Sequence, residues 1–210
     1  MKLILVRHGQ TLSNVTRTIQ GSSDSKLSAH GQRQIRYLAE SLGGRQFDAV
    51  YASDLSRALD TAKAIVPDST IVLDKRLREW DLGHWTGLPR AYINEHFADE
   101  VAAYESRIPD FGPRGGETKL EVERRSAAFL NDIVPYHLAL GTGTVLIVSH
   151  YGPIRAMLTH LVDPDGTQEG WNPYPKVDNT GVTQLDLMDN ACTVDFLNNL
   201  EHLEQLATPN

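Results

Sequence analysis

Along this chain, short unbroken apolar runs alternate with stretches whose apolar residues recur every three or four positions. The first run, Leu3-Ile4-Leu5-Val6, stops abruptly at Arg7-His8-Gly9. It reads as a strand buried on both faces, because no polar position interrupts it. Gln10 to Ser25 reads as a polar loop. Ile35, Leu38, Ala39 and Leu42 then follow helical spacing, with Ser28 as N-cap and Gly43-Gly44 as the stop. Phe47 to Ser53 predicts a second strand. Leu55 to Val66 predicts a second helix, with Ser53 or Asp54 as N-cap and Pro67 just beyond its end. Thr70 to Leu73 predicts a third strand. Thr144 to Val148 is the clearest strand and ends at Ser149-His150. Ile154 to Leu161 is helical in pattern. Gly181 to Leu187 and Thr193 to Leu197 complete the strands, with a hairpin turn expected at Asp189-Asn190. The tail after Leu206 is expected to fray.

Strands alternating with helices predict an α/β fold, a mostly parallel central sheet with helices on both faces. Between Gly83 and Tyr136 no strong strand appears. That stretch holds helical pieces near Tyr92–Tyr104 and Leu120–Pro135, separated by Pro109 to Gly116. It reads as a helical cap inserted over the C-terminal ends of the strands, about residues 84–136. The whole of 1–210 is then one domain.

Composition narrows the choice of function. Lys and Arg total 20 against 27 Asp and Glu, a formal charge of −7. That balance speaks against nucleic acid or a membrane surface as partner. An anionic substrate must be drawn by a local cluster of cations. The single cysteine, Cys192, allows no intrachain disulfide and fits a reducing, cytoplasmic setting. The apolar run after Met1-Lys2 is too short for a signal peptide, and Arg7 interrupts it. No stretch approaches the roughly 18 apolar residues of a membrane span.

In open α/β sheets, binding groups collect outside the carboxyl ends of the strands. His8 and His150 each follow a buried strand, Arg7 precedes His8, and Arg57 lies at the start of the second helix. Singly, each has an ordinary use: a hydrogen-bonded histidine, a solvated arginine. Together they form a compact anion site, since the planar fork of arginine pairs with two phosphate oxygens at once. The arginines would repel a metal cation, and neither HExxH nor a paired-cysteine motif occurs. Nor is there a GxxxxGK[ST] or GxGxxG loop, so no metal and no cofactor is expected. Glu79 has an ordinary reading as a surface carboxylate.

Arg7-His8-Gly9 resembles the RHG signature of the histidine phosphatase superfamily, the phosphoglycerate mutase-like proteins. The likeness extends in order along the chain. Asn14, Gln20-Gly21, Leu27-Ser28 and Gly31 look like the family's first loop and helix start. Tyr51 to Ala62 is similar to its second motif and Leu77 to Gly87 to its third. Gly115-Gly116-Glu117 is similar to its GGE segment, Val148-Ser149-His150 to its second histidine motif, and Asn179 to Val182 to the start of its late strand.

The resemblance implies that His8 is the nucleophile, accepting the phosphoryl group as a phosphohistidine. It implies that Arg7, Arg57 and His150 clamp the phosphoryl oxygens and that Glu79 is the general acid. Asn14, Gln20 and Gly21 would help hold phosphate or substrate. Such chemistry suits these residues: a neutral imidazole is a competent nucleophile, and phosphoryl transfer rests on positioning and charge. One departure stands out. Many relatives have glycine after the second histidine, where this chain has Tyr151 followed by Gly152-Pro153. Tyr151 still offers its backbone N–H to substrate, and its ring either lines the pocket or packs beside it.

The resembled mutases carry a longer segment after the catalytic glutamate, with a His-Tyr-Gly element. Here Glu79 is followed by Trp80 to Gly87, which resembles the broad-specificity phosphatase branch. The expectation is a metal-independent phosphatase of a small phosphorylated metabolite, with an acidic-to-neutral optimum. A phosphoglycerate mutase and a non-catalytic phospholigand-binding protein are the alternatives. Trp80, Trp85, Tyr92, Phe97, Tyr104 and Phe111 read mainly as cap core. Arg78, Arg90, Arg107 and Arg114 are mostly solvated cations in this reading, or a grip for a second anionic group. An edge strand near the C terminus leaves a homodimer open.

Overall fold

The computed structural model describes residues 1–165, 175–188 and 191–207. In chain order its elements are β1 (Lys2–Arg7), α1 (Leu12–Thr16), α2 (Ala29–Leu42), β2 (Ala49–Ala52), α3 (Ser56–Ile65), β3 (Val72–Leu73), α4 (Arg90–His96), α5 (Ala98–Glu105), α6 (Lys119–Ala139), β4 (Thr144–Ser149), α7 (Tyr151–Val162), β5 (Val182–Met188), β6 (Ala191–Asn199) and α8 (Glu204–Ala207). Among the described residues the sheet has six strands in the order β3-β2-β4-β1-β5-β6. β3, β2, β4 and β1 run parallel, while β5 is antiparallel to both of its neighbours, β1 and β6.

The two faces of the sheet follow from the period of two along each strand. Leu3, Leu5, Val145 and Ile147 face one side and pack with Phe129, Leu130 and Ile133 of α6 and with Ile154, Met157 and Leu158 of α7. Ile4, Val6, Val50, Ala52, Leu146 and Val148 face the other and pack with Leu38 and Leu42 of α2 and with Ala58, Ala62 and Ile65 of α3. Both faces of β1 and β4 are thus covered, which is why their sequences read as continuous apolar runs. The chain leaves β1 toward the α2 side and leaves β4 toward the α7 side. The crevice between these adjacent strands is the point where such sheets bind ligands. The register sets Arg7 opposite Ser149, so His8 and His150 follow side by side.

Several boundaries differ from the expectation for physical reasons. The first loop contains α1, because Thr11 and Asn14 form a capping box there. The third strand shrinks to Val72–Leu73, an edge pair about half exposed, while Ile71 packs into the core. The second helix starts at Ser56 with Leu55 as a cap that has no side-chain bond. One of its free N–H groups is met from a distance: Asp24 accepts from Ser56 N at 3.0 Å, and also from the Ser56 hydroxyl at 2.9 Å. α7 starts earlier than expected, with Gly152 and Pro153 in its first turn, where proline has no helical N–H bond to lose. The helix near Tyr92–Tyr104 is two helices, broken at Phe97. α6 continues through Pro135 to Ala139. The turn at Asp189-Asn190 lies outside the described residues, as does the tail from 208 onward.

Within the stretch 84–136, α6 packs against the sheet. The chain before it carries a separate small core in which Leu82, Trp85, Ile93 and Val101 meet Ile19, Trp80, Leu88, Phe97, Tyr104 and Phe111. No helix among the described residues is long and apolar enough to cross a membrane.

Candidate active site

A cavity of about 490 Å³ opens at the carboxyl ends of β1 and β4. Its inner end is lined by Arg7, His8, Asn14, Gln20, Gly21, Arg57, Glu79, Tyr151 and Gly152. Every residue that the family resemblance assigns to catalysis or phosphate binding lines it except His150, whose ring lies behind, 5.0 Å from the ring of His8 between centroids; Arg78 and Arg114, offered as a second anion grip, do not line it.

The hydrogen bonds fix the tautomers of the two histidines. His8 Nδ1 lies 2.7 Å from the carbonyl of Gly9. A carbonyl only accepts, so Nδ1 carries the proton and Nε2 holds the lone pair. Arg57 Nε donates to His150 Nδ1 at 3.2 Å. A guanidinium only donates, so His150 carries its proton on Nε2. That Nε2 is buried and has no hydrogen-bond partner among the described residues, and the same holds for Arg7 Nε. Buried donors of this kind await an acceptor. Both imidazoles are held well below their ordinary pKa near 6.5, first by burial and then by the charge of Arg57, with Arg7 adding to it. Both are therefore neutral, and His8 keeps its lone pair.

The arginines are anchored on backbone carbonyls. Arg57 is 1% exposed and donates through Nη1 to Ser23 at 2.7 Å and through Nη2 to Gly21 at 3.0 Å. Arg7 donates through Nη1 to Val177 at 2.7 Å. The backbone of the nucleophile loop is held in turn by Asn179 Nδ2, which donates to the His8 carbonyl at 3.0 Å, and by Thr180 N, which donates to Arg7 O at 3.0 Å. Gly31 lets α2 close on this loop, since a Cβ there would lie 2.0 Å from the carbonyl of Gln10.

Glu79 sits on the N-terminus of α7. Its Oε2 accepts from Tyr151 N at 3.1 Å, and its Oε1 accepts from Gly152 N at 3.0 Å and from Trp80 N at 2.9 Å. The Tyr151 N–H, expected to face substrate, is thus engaged by Glu79. The Tyr151 ring does line the cavity. It lies 5.4 Å from the Arg7 guanidinium carbon and 4.8 Å from that of Arg155, and its hydroxyl accepts from Arg155 Nη1 at 2.7 Å. Asn14 and Gln20 are joined through Thr11, whose hydroxyl is 3.0 Å from Asn14 Oδ1 and 2.9 Å from Gln20 Oε1.

The outer end of the cavity is lined by Trp80, Arg90, Tyr104, Glu105, Arg107, Lys119, Glu123, Arg155 and Thr159. Trp85, Phe97 and Phe111 belong to the small core beside it. Arg78 is turned away, donating in a fork to Asp54 at 2.7 and 2.6 Å. Lys119, Arg155 and Thr159 were not singled out from the sequence. Their helical spacing on α6 and α7 gives no sign of facing a cavity. Among the described residues no group of three or more His, Cys, Asp or Glu is placed to hold a metal ion.

The model of the histidine phosphatase superfamily, branch 1, matches residues 3–200. A glucosyl-3-phosphoglycerate phosphatase of Mycobacterium tuberculosis is 35% identical over 168 residues, 77% of this chain and 75% of that protein. A solved structure of a mycobacterial glucosyl-3-phosphoglycerate phosphatase with VO3 superposes with a TM-score of 0.80 at 32% identity, over 94% of this chain and 98% of the other. A putative phosphoserine phosphatase 2 of Hydrogenobacter thermophilus is 31% identical over 207 residues, 98% of each chain. A 2,3-bisphosphoglycerate-dependent phosphoglycerate mutase of Mesorhizobium japonicum is 30% identical over 174 residues, 79% of this chain and 84% of that one.

Proposed function

The chain belongs to the histidine phosphatase superfamily and hydrolyses small phosphate monoesters, and we propose that it does so without a metal, through a phosphohistidine formed on His8. The observation that carries this reading is the free lone pair of a neutral, buried His8 beside two donors without partners among the described residues, Arg7 Nε and His150 Nε2–H. In the first step His8 Nε2 attacks phosphorus, and the bond to the ester oxygen breaks. Glu79 gives that oxygen its proton. Arg7, Arg57 and His150 hold the phosphoryl oxygens, supplying the charge on which this chemistry depends. In the second step the Glu79 carboxylate takes a proton from water as the water attacks phosphorus. The P–N bond breaks, and His8 regains its lone pair.

Among the described residues the outer chamber is lined by four cations, Arg90, Arg107, Lys119 and Arg155, with Arg90 paired to Glu105 and Lys119 to Glu123. A lining of this kind, together with the relatives named for glucosyl-3-phosphoglycerate and phosphoserine, supports an ester whose alcohol part carries its own carboxylate. The chain with its own small core, ahead of α6, then serves as the cap of the chamber. Placement in the cytoplasm is supported by the single Cys192. β6, an edge strand, is where a second copy would pair, and light scattering tests that homodimer.

Two assays test the function. Wild type should hydrolyse p-nitrophenyl phosphate with chelator present and leave an acid-labile phosphohistidine on the His8 peptide, and His8→Ala should do neither. Equal activity of the two proteins overturns the mechanism. Across phosphoserine, phosphoglycerates, sugar phosphates and nucleotides, kcat/KM should be highest for esters bearing a carboxylate. Interconversion of 3- and 2-phosphoglycerate, stimulated by the bisphosphate and faster than hydrolysis, would make the protein a mutase instead.

A further inference from the structure

We propose that Arg125, with Glu117, is the positioning residue that holds Glu79 on the α7 N-terminus; this rests on Glu79 as the proton donor and acceptor. Arg125 lies on α6 and never touches the phosphoryl end of the cavity. Its Nη1 donates to the carbonyls of Arg76 at 2.7 Å and Arg78 at 2.6 Å. Its Nη2 donates to the Glu79 carbonyl at 3.2 Å and to Glu117 Oε2 at 3.0 Å, and its Nε donates to Glu117 Oε1 at 2.8 Å. Every N–H of this guanidinium is engaged by the protein, which leaves none for substrate.

Glu117 carries the hold to the far side of Glu79. Its Oε2 accepts from Asp81 N at 2.9 Å, and its carbonyl accepts from Trp80 Nε1 at 2.7 Å. Trp80 N is itself a donor to Glu79 Oε1. The pair therefore grips the chain on both sides of Glu79 and fixes one of the donors that orient its carboxylate. Arg76 lies in the single 3-10 turn Lys75–Leu77, but Arg78 to Asp81 belong to no helix or strand, so no ladder of backbone bonds runs along them. A lysine at 125 has a single ammonium head and cannot reproduce this planar fan.

A positioning role for the acid leaves a mark that a general loss of structure does not: its effect depends on the leaving group. The value of kcat/KM reports phosphorylation of the enzyme, and an alkoxide needs its proton far more than p-nitrophenolate does. Arg125→Lys, Glu79→Gln and the double variant are compared on p-nitrophenyl phosphate and on β-glycerophosphate, with thermal melts recorded for each. Arg125→Lys should lose about tenfold more on the alkyl ester than on the aryl ester, in the direction shown by Glu79→Gln. In the double variant the two losses should not multiply. A loss equal on both esters, or multiplicative losses, overturns the inference while leaving the acid role of Glu79 intact. An equal loss in Glu79→Gln overturns the acid role and the inference with it. If Arg125→Lys does not fold, Glu117→Gln decides by the same ratio, since it keeps the carbonyl contacts of Arg125.

Discussion

Gly152 donates its N–H to Glu79 Oε1 at 3.0 Å, and a Cβ on Gly152 would stand 2.7 Å from that same oxygen. The carboxylate therefore lies where only a glycine lets it approach the start of α7. Its charge also meets the positive end of that helix. The α3 helix is completed in the same manner by Asp24 from the first loop. The helices that follow β4 and β2 are thus both capped by carboxylates from distant segments, and this capping ties the loops to the sheet.

Gly152→Ala should push Glu79 off the helix end without unfolding the chain. The expected result is a fall in kcat of about a hundredfold, at the lower end of the range ascribed to general acid–base catalysis. Steady-state kinetics and a thermal melt check it together. Wild-type kcat in the alanine variant would mean that Glu79 works equally well elsewhere.

Tyr151 is flanked by the guanidiniums of Arg7 and Arg155. Its ring face fixes one side of Arg7, while its hydroxyl serves Arg155. Tyr151→Phe keeps the ring and should hold kcat/KM for p-nitrophenyl phosphate within about threefold of wild type. Tyr151→Gly removes the wall and frees Arg7 to turn, and a cation–π contact is worth about 0.5–2 kcal/mol. KM should rise by roughly two- to thirtyfold. Equal kinetics for the phenylalanine and glycine variants would show that the ring does not act on Arg7.

The depressed pKa values of His8 and His150 predict an acid-dependent stability. The folded state keeps both neutral, whereas in the unfolded chain they protonate near pH 6.5. Below that pH the unfolded state binds more protons, so stability falls as pH falls and is fully present above it. The loss is about 1.4 kcal/mol per pH unit for each histidine until the folded pKa is reached. His137 and His202 are shifted the same way by burial and add to the slope. Denaturant titrations from pH 5.5 to 7.5 should show a shallower slope for His8→Gln/His150→Gln than for wild type. An identical slope would mean that the pair titrates normally. For the same reason, protonation of His8 should not cause an acidic limb of activity near pH 6.5.

The parts of this site that were legible in the sequence are those in which one strand carries the whole signal. β1 and β4 are buried on both faces, so their apolar runs stop where their chemistry begins, at Arg7-His8 and Ser149-His150. What was hidden is held by partners far away in the chain. Arg125 meets backbone carbonyls of residues 76, 78 and 79, and carbonyls leave no trace in side-chain pattern. The cap of α3 is Asp24 rather than Ser53, because the loop folds back onto the helix. The first turn of α7 escaped notice because Gly152-Pro153 resembles a loop when the Glu79 contact is not known. The outer chamber draws on α6 and α7 at positions whose facing depends on how the small core of Trp85 and Ile93 is packed.

Arg57 offers the sharpest test of the phosphoryl end of the cavity. Its three nitrogens are divided among His150 Nδ1, the Ser23 carbonyl and the Gly21 carbonyl. It therefore sets the first loop and the tautomer of His150 together. Arg57→Lys keeps a positive charge but supplies a single head group, which cannot reach all these acceptors. His150 then loses the donor that keeps its proton on Nε2, and the phosphoryl site loses two ligands for one substitution. The expected cost is about 10²- to 10³-fold in kcat/KM, the scale for removing a preorganised donor from a site of developing charge. Inorganic phosphate supplies a second readout free of catalysis. At about 100 times its Kd, phosphate should stabilise the wild type by about 2.7 kcal/mol, and at the same concentration it should stabilise Arg57→Lys far less. Thermal melts against phosphate concentration, alongside the inhibition constant for phosphate, measure this. A lysine variant with wild-type phosphate affinity and reduced turnover would place Arg57 outside the phosphoryl clamp and leave it only the orientation of His150.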